Sequence, residues 1–541
     1  MFHIFPDMSL INFFHKKPAN PIPKWNERKS EDFHFELIEN YFKKKDNSTA
    51  FQTISGQLMD DIDFYDLFEF IDRTSSKIGQ QYLYNQLLVI NNDLHFEEQE
   101  ALADYFLQNE EKRLRAQKLF SKLNRRESFY ISHLFLNDYI PKPKWFWVIP
   151  LLSFASLVTI VLTFFISRMV FLLVLLFLVD IAIFFWNKRN IMVYMDSIPQ
   201  LPLLSKITDE LLKWDVLKQS NQAVRAASES IRQLDNSAFF FKFENKVRSD
   251  IEVLLLSIWE IFKILFLVEP LTVFNLFKKL DKKRTDIQTL FEYIGKFDSA
   301  ISIATFRREL PYFCKPEITN TAHSLEFTNI YHPLIPDCVS NSLQTNGHSI
   351  LLTGSNMSGK TTFIRTVAIN ILLAQTINTC FANNFRLNQM RLFSAVRITD
   401  DLFNAVSYYF EEVLTIKDFL NESDSSSDNV FFLDEIFKGT NTIERIAAGK
   451  SVLSYLVRSN KNIVFVSTHD IELTELLAGE YDLYHFTENI QEQQIKFDYK
   501  LKQGNLKTTN AIRILEINDY PEEVVAEAKE ISNEMRKNCV I

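Results

Sequence analysis

The stretch Ser349 to Thr362, S-I-L-L-T-G-S-N-M-S-G-K-T-T, has the residue types and spacing to hold a phosphate. Its pattern G-x-x-x-x-G-K-[ST] has a physical basis. Gly354, Ser355, Asn356, Met357, Ser358 and Gly359 form a loop whose backbone N–H groups, with those of the following helix, surround an anion. Lys360 adds a point charge at the outer phosphates, Thr361 offers a hydroxyl to Mg²⁺, and Thr362 continues into the helix. Such chemistry needs a buried strand before the loop and a helix after it. Ile350, Leu351 and Leu352 form a short apolar run, and Phe363 to Ile377 carries apolar residues at three- and four-residue spacing, so both are predicted.

Two further segments can complete a site for phosphoryl transfer. Asn429 to Glu435, N-V-F-F-L-D-E, reads as a buried strand ending in two carboxylates. Asp434 is placed to hold Mg²⁺ directly or through water, and Glu435 to orient and polarise the attacking water. Ile463 to Ser467 reads as another buried strand, with Thr468-His469-Asp470 at its carboxyl end, where ligands bind in parallel sheets; from there His469 can contact a γ-phosphate.

These elements lie in the last part of a chain of 541 residues, long enough for two or three domains. Beyond Glu317 short apolar strands alternate with helices, the pattern of a three-layer α/β domain. Glycine supports the same division, because seven of the 10 glycines, from Gly347 to Gly504, fall in this region. The net charge of −9 gives no global reason to expect polyanion binding. The four cysteines, Cys314, Cys338, Cys380 and Cys539, are widely spaced without a framework pattern, which fits a reducing compartment. No structural metal is expected.

Upstream, residues 1–32 read as a tail, and Phe33 to Leu136 as helices with few breakers. Within them Asp72-Arg73-Thr74-Ser75-Ser76 makes a polar turn, and Gly79 permits close helix packing. From Trp145 to Ile166 run about 22 uncharged residues, long enough to span roughly 33 Å as a helix. A second apolar run, Met169 to Trp186, follows with one charge, Asp180. Together they predict a membrane hairpin. Lys142, Lys144, Lys188 and Arg189 flank it, against Arg168 alone in the turn, so both chain ends are expected on the cytoplasmic side of an inner or plasma membrane. Trp145, Trp147 and Trp186 sit where interfacial aromatics belong, and Asp180 is read as tolerated rather than catalytic. Residues 190–318 read as helical again, with Ile251 to Phe274 as a core helix broken by Pro270.

The segments G-S-N-M-S-G-K-T-T, L-D-E-I-F-K-G-T-N-T and S-T-H-D-I-E-L-T, in this order, resemble the ATPase domain of the MutS family of mismatch-repair proteins. Tyr331-His332-Pro333 resembles the lead-in to that domain, Thr399 to Glu412 its signature segment, and Lys507 to Ala528 its closing helix-turn-helix stretch. I-D-R-T-S-S-K-I-G-Q-Q-Y-L, from Ile71, resembles the start of the family's helical core, and Asp298 to Ile318 its end. The resemblance implies an α+α/β multidomain chain. Its helical, lever-like core (33–140 and 190–318) is interrupted by the transmembrane hairpin (145–187) and followed by a P-loop ABC-type α/β ATPase domain (325–541).

It also implies an ATP- and Mg²⁺-dependent ATPase working as a homodimer. Asn356, Met357 and Ser358 would contact the nucleotide, and Ser407 would act in trans on ATP held by the second subunit. Tyr499 falls where the family stacks a side chain on adenine, with Val339 on the other face; an edge-strand aromatic is an equal reading of Tyr499. The sequence also departs from the family. Fewer than about 60 residues precede the core, too few for a mismatch-reading domain. Residues 190–315 show no strand-rich insertion for a DNA clamp, Ser358 replaces a usual Gly, Thr361 a usual Ser, and Tyr408 a small residue. Double-stranded DNA is thus expected as a partner by resemblance alone. The alternative is an ATP-driven membrane mechanochemical or scaffold protein acting on protein or lipid.

Overall fold

The computed structural model describes residues 29, 32–137, 143–217, 221–234, 259–321, 324–345, 347–355, 357–397, 408–491, 494–506, 511–518 and 520–538. The architecture is mixed, helical and α/β, in two compact units. One takes the chain up to Asp46, Asp72–Asn85 and Glu97–Arg308; the other takes Asn47–Ile71, Gln86–Phe96 and Glu309–Ile541.

The first unit is helical among its described residues. Its core gathers Phe106, Phe120, Leu204, Leu211, Leu290, Phe291 and Phe297, all almost fully buried. The polar turn at Asp72 is an internal tie rather than a surface feature. Asp298, in the helix Arg284–Glu309, accepts hydrogen bonds from the Ser75 and Ser76 N–H groups, each 2.8 Å, and from Ser76 Oγ at 2.6 Å. Those donors precede the helix Lys77–Leu88, whose first N–H groups have no intrahelical acceptor. The approach is close enough to require glycine, since a Cβ on Gly79 would lie 2.1 Å from Asp298 Oδ2. Asp72 is fully buried and accepts from Lys29 Nζ at 2.7 Å; that cation and hydrogen bonds from Thr74 hold its carboxyl below the ordinary range against burial.

The same unit contains the two apolar helices, Val148–Thr163 and Met169–Ser197, packed side by side. Two segments, Lys144–Thr163 and Met169–Lys188, are long and apolar enough to cross a membrane, and only 17% and 11% of them is buried. Phe154, Phe164, Phe165 and Phe171 are exposed, whereas the helix of a soluble core hides such side chains. Asp180 is turned inward, fully buried, and accepts from Ser156 Oγ at 3.0 Å. The second helix runs eleven residues past Trp186 (to Ser197), further than the apolar run alone predicts. Pro270 lies in the first turn of the helix Val268–Asp281, where a missing N–H costs nothing, so it starts a helix rather than breaking one. Residues 251–258 lie outside the described residues.

The second unit is built on a six-stranded sheet. Its order is Lys502–Gln503, Tyr481–His485, Ser349–Thr353, Asn462–Ser467, Asn429–Asp434, Arg391–Ala395, parallel except for the edge strand Lys502–Gln503. Ser349–Thr353 is buried throughout, which accounts for its unbroken apolar run. Alternate strand residues Leu351, Phe431, Leu433, Val464 and Val466 pack with Ile416, Phe419, Leu453, Leu456 and Leu473 from the helices Tyr408–Ser423, Thr442–Leu456 and Ile471–Leu476. The helix Lys360–Ile377 packs against the strands Asn429–Asp434 and Asn462–Ser467. A second, four-stranded sheet takes Glu317–Thr319, Asn384–Asn388, Leu325–Ile330 and Asn341–Gln344 in that order.

The segment Asn47–Ile71 joins this unit through polar bonds. Asp61 accepts from Ser394 Oγ at 2.6 Å and from the N–H groups of Val396 and Arg397 at 3.0 and 2.7 Å. Asp63 accepts from Arg365 at 3.2 Å and pairs with Arg397. The end of the strand Arg391–Ala395 is thereby fixed from outside the sheet.

Candidate functional site

The parallel register sets the site. Ser467 aligns with both Leu352 and Asp434, so the residues that follow these three strands emerge along one edge of the sheet. There the loop leaves Ser349–Thr353 through Gly354, at φ 152°, where a Cβ would meet Ser358 Oγ at 2.7 Å and the Phe486 carbonyl at 2.9 Å. Gly359, at φ 105°, ends the loop, and the helix Lys360–Ile377 begins directly after it. Met357 takes the left-handed region at φ 71° with its side chain exposed. Ser358 is buried and its Oγ has no partner, while Thr362 lies half-buried in the first helical turn. Asn356 and Ser407 lie outside the described residues.

Lys360 is buried and curls back over the loop, donating to the Gly354 and Ser355 carbonyls at 2.8 and 3.1 Å. Burial lowers its pKa, and the nearby carboxylates of Glu435 and Asp434 oppose that. Thr361 Oγ1 donates to Asp434 Oδ2 at 2.7 Å, joining the start of the loop helix to the end of the neighbouring strand. The other oxygen of Asp434 accepts from Ser467 Oγ. Hydroxyls on two elements therefore fix the carboxylate's plane.

Glu435 sits on a strained turn. It has φ 52° and Phe437 has φ 62°, a region that costs non-glycine residues of order 1–3 kcal/mol each. The Glu435 N–H donates to the Ser467 carbonyl at 2.9 Å, and the Phe437 N–H donates to the buried carboxylate of Glu412. Glu435 Oε1 lies 2.7 Å from His469 Nε2, and Oε2 lies 3.0 Å from Lys438 Nζ. The hydrogen bond from His469 is the main reason the Glu435 carboxyl is held down at about 2, with Lys438 adding to it and burial opposing. His469 Nε2 is also 3.3 Å from Lys360 Nζ. One ring nitrogen cannot donate to a carboxylate and accept from an ammonium at once. The shorter contact assigns its proton toward Glu435.

His469 is positioned from behind. The next residue, Asp470, receives a two-pronged bond from Arg445, Nε to Oδ2 at 2.9 Å and Nη2 to Oδ1 at 2.6 Å. The Thr468 N–H donates to the Leu352 carbonyl at 3.0 Å.

Beside the loop opens a cavity of about 540 Å³. Val339 and Tyr499 both line it, with Lys360, Thr361 and Glu435. The Tyr499 ring lies against Gly359, where a Cβ would come within 3.2 Å of Cδ1. Tyr499 is left-handed at φ 51°, and Asn341 holds it there: its Nδ2 donates to the Tyr499 carbonyl at 3.0 Å, and its Oδ1 accepts from the Leu501 N–H at 2.8 Å. Ser355 Oγ donates to Glu488 at 2.7 Å.

Thus the structure brings together Gly354, Ser355, Met357, Ser358, Gly359, Lys360, Thr361, Thr362, Asp434, Glu435, His469, Val339 and Tyr499. Sequence reasoning missed Asn341, Glu412, Lys438, Arg445 and Ser467 as parts of this arrangement. Lys438 and Ser467 were visible inside the quoted motifs, and Glu412 at the end of the signature stretch. Asn341 and Arg445 carry no local signal.

The arrangement has relatives. Residues 350–536 match the family model for MutS domain V. Over these residues the chain is similar to MutS domain V. It is 31% identical over 249 residues to the DNA mismatch repair protein MutS of Persephonella marina, a match covering 44% of this chain and 28% of that protein. To the MutS proteins of Aquifex pyrophilus and Carboxydothermus hydrogenoformans it is 31% and 29% identical, over 45% and 46% of this chain and 29% and 31% of theirs. The chain thus spans less than a third of the length of the MutS relatives it matches. The MutS domain V match begins one residue into the loop strand and takes in the loop, both carboxylates, His469 and Tyr499.

Proposed function

We propose that this chain is a membrane-anchored, MutS-type ATPase that binds ATP with Mg²⁺ at a dimer interface, hydrolyses it, and couples the cycle to double-stranded DNA. The observation that carries the ATP reading is the 2.7 Å bond between Thr361 and Asp434, which joins the glycine-bounded loop to the carboxylate strand beside the Glu435–His469 pair. The donor set fits a nucleotide and a hard cation. An unpartnered buried hydroxyl on Ser358 and glycines whose Cβ positions are occupied mark a cradle for an anion, and oxygen ligands suit Mg²⁺.

In this reading Lys360 exchanges its two carbonyl acceptors for the outer phosphates. Thr361 and Asp434 would hold the cation, which when bound would neutralise charge developing on the transferred phosphoryl group. Glu435, kept ionised by His469 and Lys438, orients a water for in-line attack and accepts its proton. His469, steadied through Asp470 and Arg445, faces the γ-phosphate side. Tyr499 stacks on the base with Val339 opposite. Ser407 of a second copy completes each site, so the active form is a homodimer.

The hairpin supports anchoring, because two apolar helices expose large side chains and bury the Asp180 carboxylate between them. The cationic flanks support a reading in which both ends, and the ATPase unit, lie on the cytoplasmic side of an inner or plasma membrane. DNA enters through kinship with mismatch repair proteins.

Two measurements on the detergent-solubilised full chain test this. Lys360→Ala is expected to abolish binding of a fluorescent ATP analogue; unchanged affinity would remove the loop from the site. Duplex, mismatched or branched DNA is expected to bind at low salt in an ATP-dependent way, weakening steeply as salt rises. Absence of binding to all three overturns the DNA part and leaves a membrane ATPase acting on protein or lipid.

A further inference from the structure

The fold brings together two cysteines that lie sixty-six positions apart in the sequence, Cys314 and Cys380. They form an isolated antiparallel bridge in which each N–H donates to the other's carbonyl, at 3.0 and 2.9 Å. A pair that exchanges both bonds holds its Cα atoms about 5.5 Å apart with both side chains on one face. A disulfide requires roughly 4.4–6.8 Å. Neither sulfur is in a disulfide, and Cys380 is fully buried and Cys314 half-buried.

The surroundings hold the pair in register. Tyr312 Oη donates to the Asn329 carbonyl at 3.0 Å, and Tyr331 Oη donates to the Tyr312 carbonyl at 2.9 Å, which fixes the strand-like segment on the Cys314 side. On the other side Asn378 ends the loop helix in the left-handed region at φ 53°, and the Phe381 N–H donates to Asn370 Oδ1 at 2.6 Å. Cys380 Sγ lies 3.7 Å from the Asn370 carbonyl and also within hydrogen-bonding reach of the Cys314 sulfur, whose pKa it lowers. Its single proton serves one acceptor at a time. The more accessible sulfur is therefore the one made more acidic, and the buried sulfur stands beside it.

We propose that Cys314 and Cys380 are a dithiol modification site that a peroxide oxidises reversibly to an intrachain disulfide. Cys314 thiolate attacks one oxygen of hydrogen peroxide, the O–O bond breaks, and the other oxygen leaves as hydroxide and takes up a proton to become water, giving Cys314 sulfenic acid. The Cys380 sulfur then attacks the sulfenic sulfur, forming the S–S bond and releasing a second water. Two thiols are oxidised and one hydrogen peroxide is reduced to two waters. A thiol reductant restores the pair. The bridge would staple the lead-in to the α/β unit onto the carboxyl end of the helix that begins at Lys360. In a reducing compartment such pairs are transient.

The experiment treats the full chain in detergent with hydrogen peroxide, blocks remaining thiols, and maps peptides by mass spectrometry without reduction. Expected is a linked peptide joining Cys314 and Cys380, about 2 Da lighter than the sum of the two thiol peptides. Titratable thiols should fall from four to two and recover with dithiothreitol. Cys314→Ser should abolish the link. Cys380→Ser should instead drive Cys314 on to sulfinic acid, which dithiothreitol does not reverse. If the buried substitution prevents folding, the Cys314→Ser arm and the wild-type map still decide. A link through Cys338 or Cys539, or sulfinic acid at Cys314 in the unsubstituted chain with Cys380 still free, overturns the proposal.

Discussion

The turn at Glu435 and the hairpin around Asp180 handle the same chemical problem, a carboxylate away from bulk water, in opposite ways. At Glu435 the backbone is forced into left-handed geometry twice within three residues, and the carboxylate is left with cationic or proton-bearing partners on both oxygens. At Asp180 the backbone is an uninterrupted helix, and the carboxylate has one hydroxyl partner, on Ser156, among apolar surroundings. The first arrangement keeps a charge available and aimed. The second hides a polar group so that the outer surface stays apolar. Strain and multiple charged partners thus mark the turn proposed for chemistry, and regular backbone with minimal satisfaction marks the hairpin proposed to lie in lipid.

The largest expected effect tests the first half of that contrast. Glu435→Gln keeps size and shape but loses the charge that orients water, so ATP turnover should fall by about 100-fold or more while ATP stays bound. Turnover unchanged by this substitution would make the strained turn structural and the protein a switch that barely hydrolyses. Next in size is Glu412→Ala, which removes the acceptor of the Phe437 N–H and frees the turn. Turnover should drop by roughly tenfold with little change in nucleotide affinity, a loss in kcat rather than KM. Equal loss of affinity would show that Glu412 supports the loop instead. Glu412→Gln retains an acceptor and should recover much of the rate.

A smaller effect appears in acid. The Glu435 carboxyl is depressed to about 2 by His469 first and Lys438 second, so its contribution to stability is fully present above the ordinary glutamate range. It is lost as pH falls from that range through about 2. His469→Gln removes the leading cause and should raise the Glu435 pKa, so that the acid limb of a pH–stability curve begins at higher pH. An identical limb in wild type and variant would mean that Lys438 alone holds the charge.

Much of this contrast was legible in the sequence, because both regions are contiguous. The loop from Gly354 to Thr362 and the strand ending at Asp434 each carry their function within ten residues, and their order fixed the comparison with MutS. The apolar runs flanking Arg168 were equally local. What stayed hidden depends on chain closure. Asn341 meets Tyr499 across more than 150 positions and Arg445 meets Asp470 from another helix, with nothing in either neighbourhood to announce the partner. Asp61 looks like an ordinary helical acid, yet its acceptors fix the backbone at Val396 and Arg397. The pairing of Cys314 with Cys380 is the extreme case, since widely spaced cysteines read as unrelated until the bridge is seen.

The smallest effect sharpens the second half of the contrast. Ser156→Ala deletes the one hydrogen bond seen to Asp180. In a soluble core, stripping the donor from a buried carboxylate costs about 1.5–3 kcal/mol. In lipid, hydrogen bonds between helices measured by double-mutant cycles average only about 0.6 kcal/mol, because the separated helices find other partners. The full chain reconstituted in bilayers should therefore lose less than about 1 kcal/mol of hairpin stability on Ser156→Ala, read as protease susceptibility at the turn near Arg168. Asp180→Asn, which keeps an acceptor without the charge, should be close to neutral. A loss of 2 kcal/mol or more in the serine variant would instead describe a hairpin buried by protein, and the apolar surface now assigned to lipid would then need a protein cover.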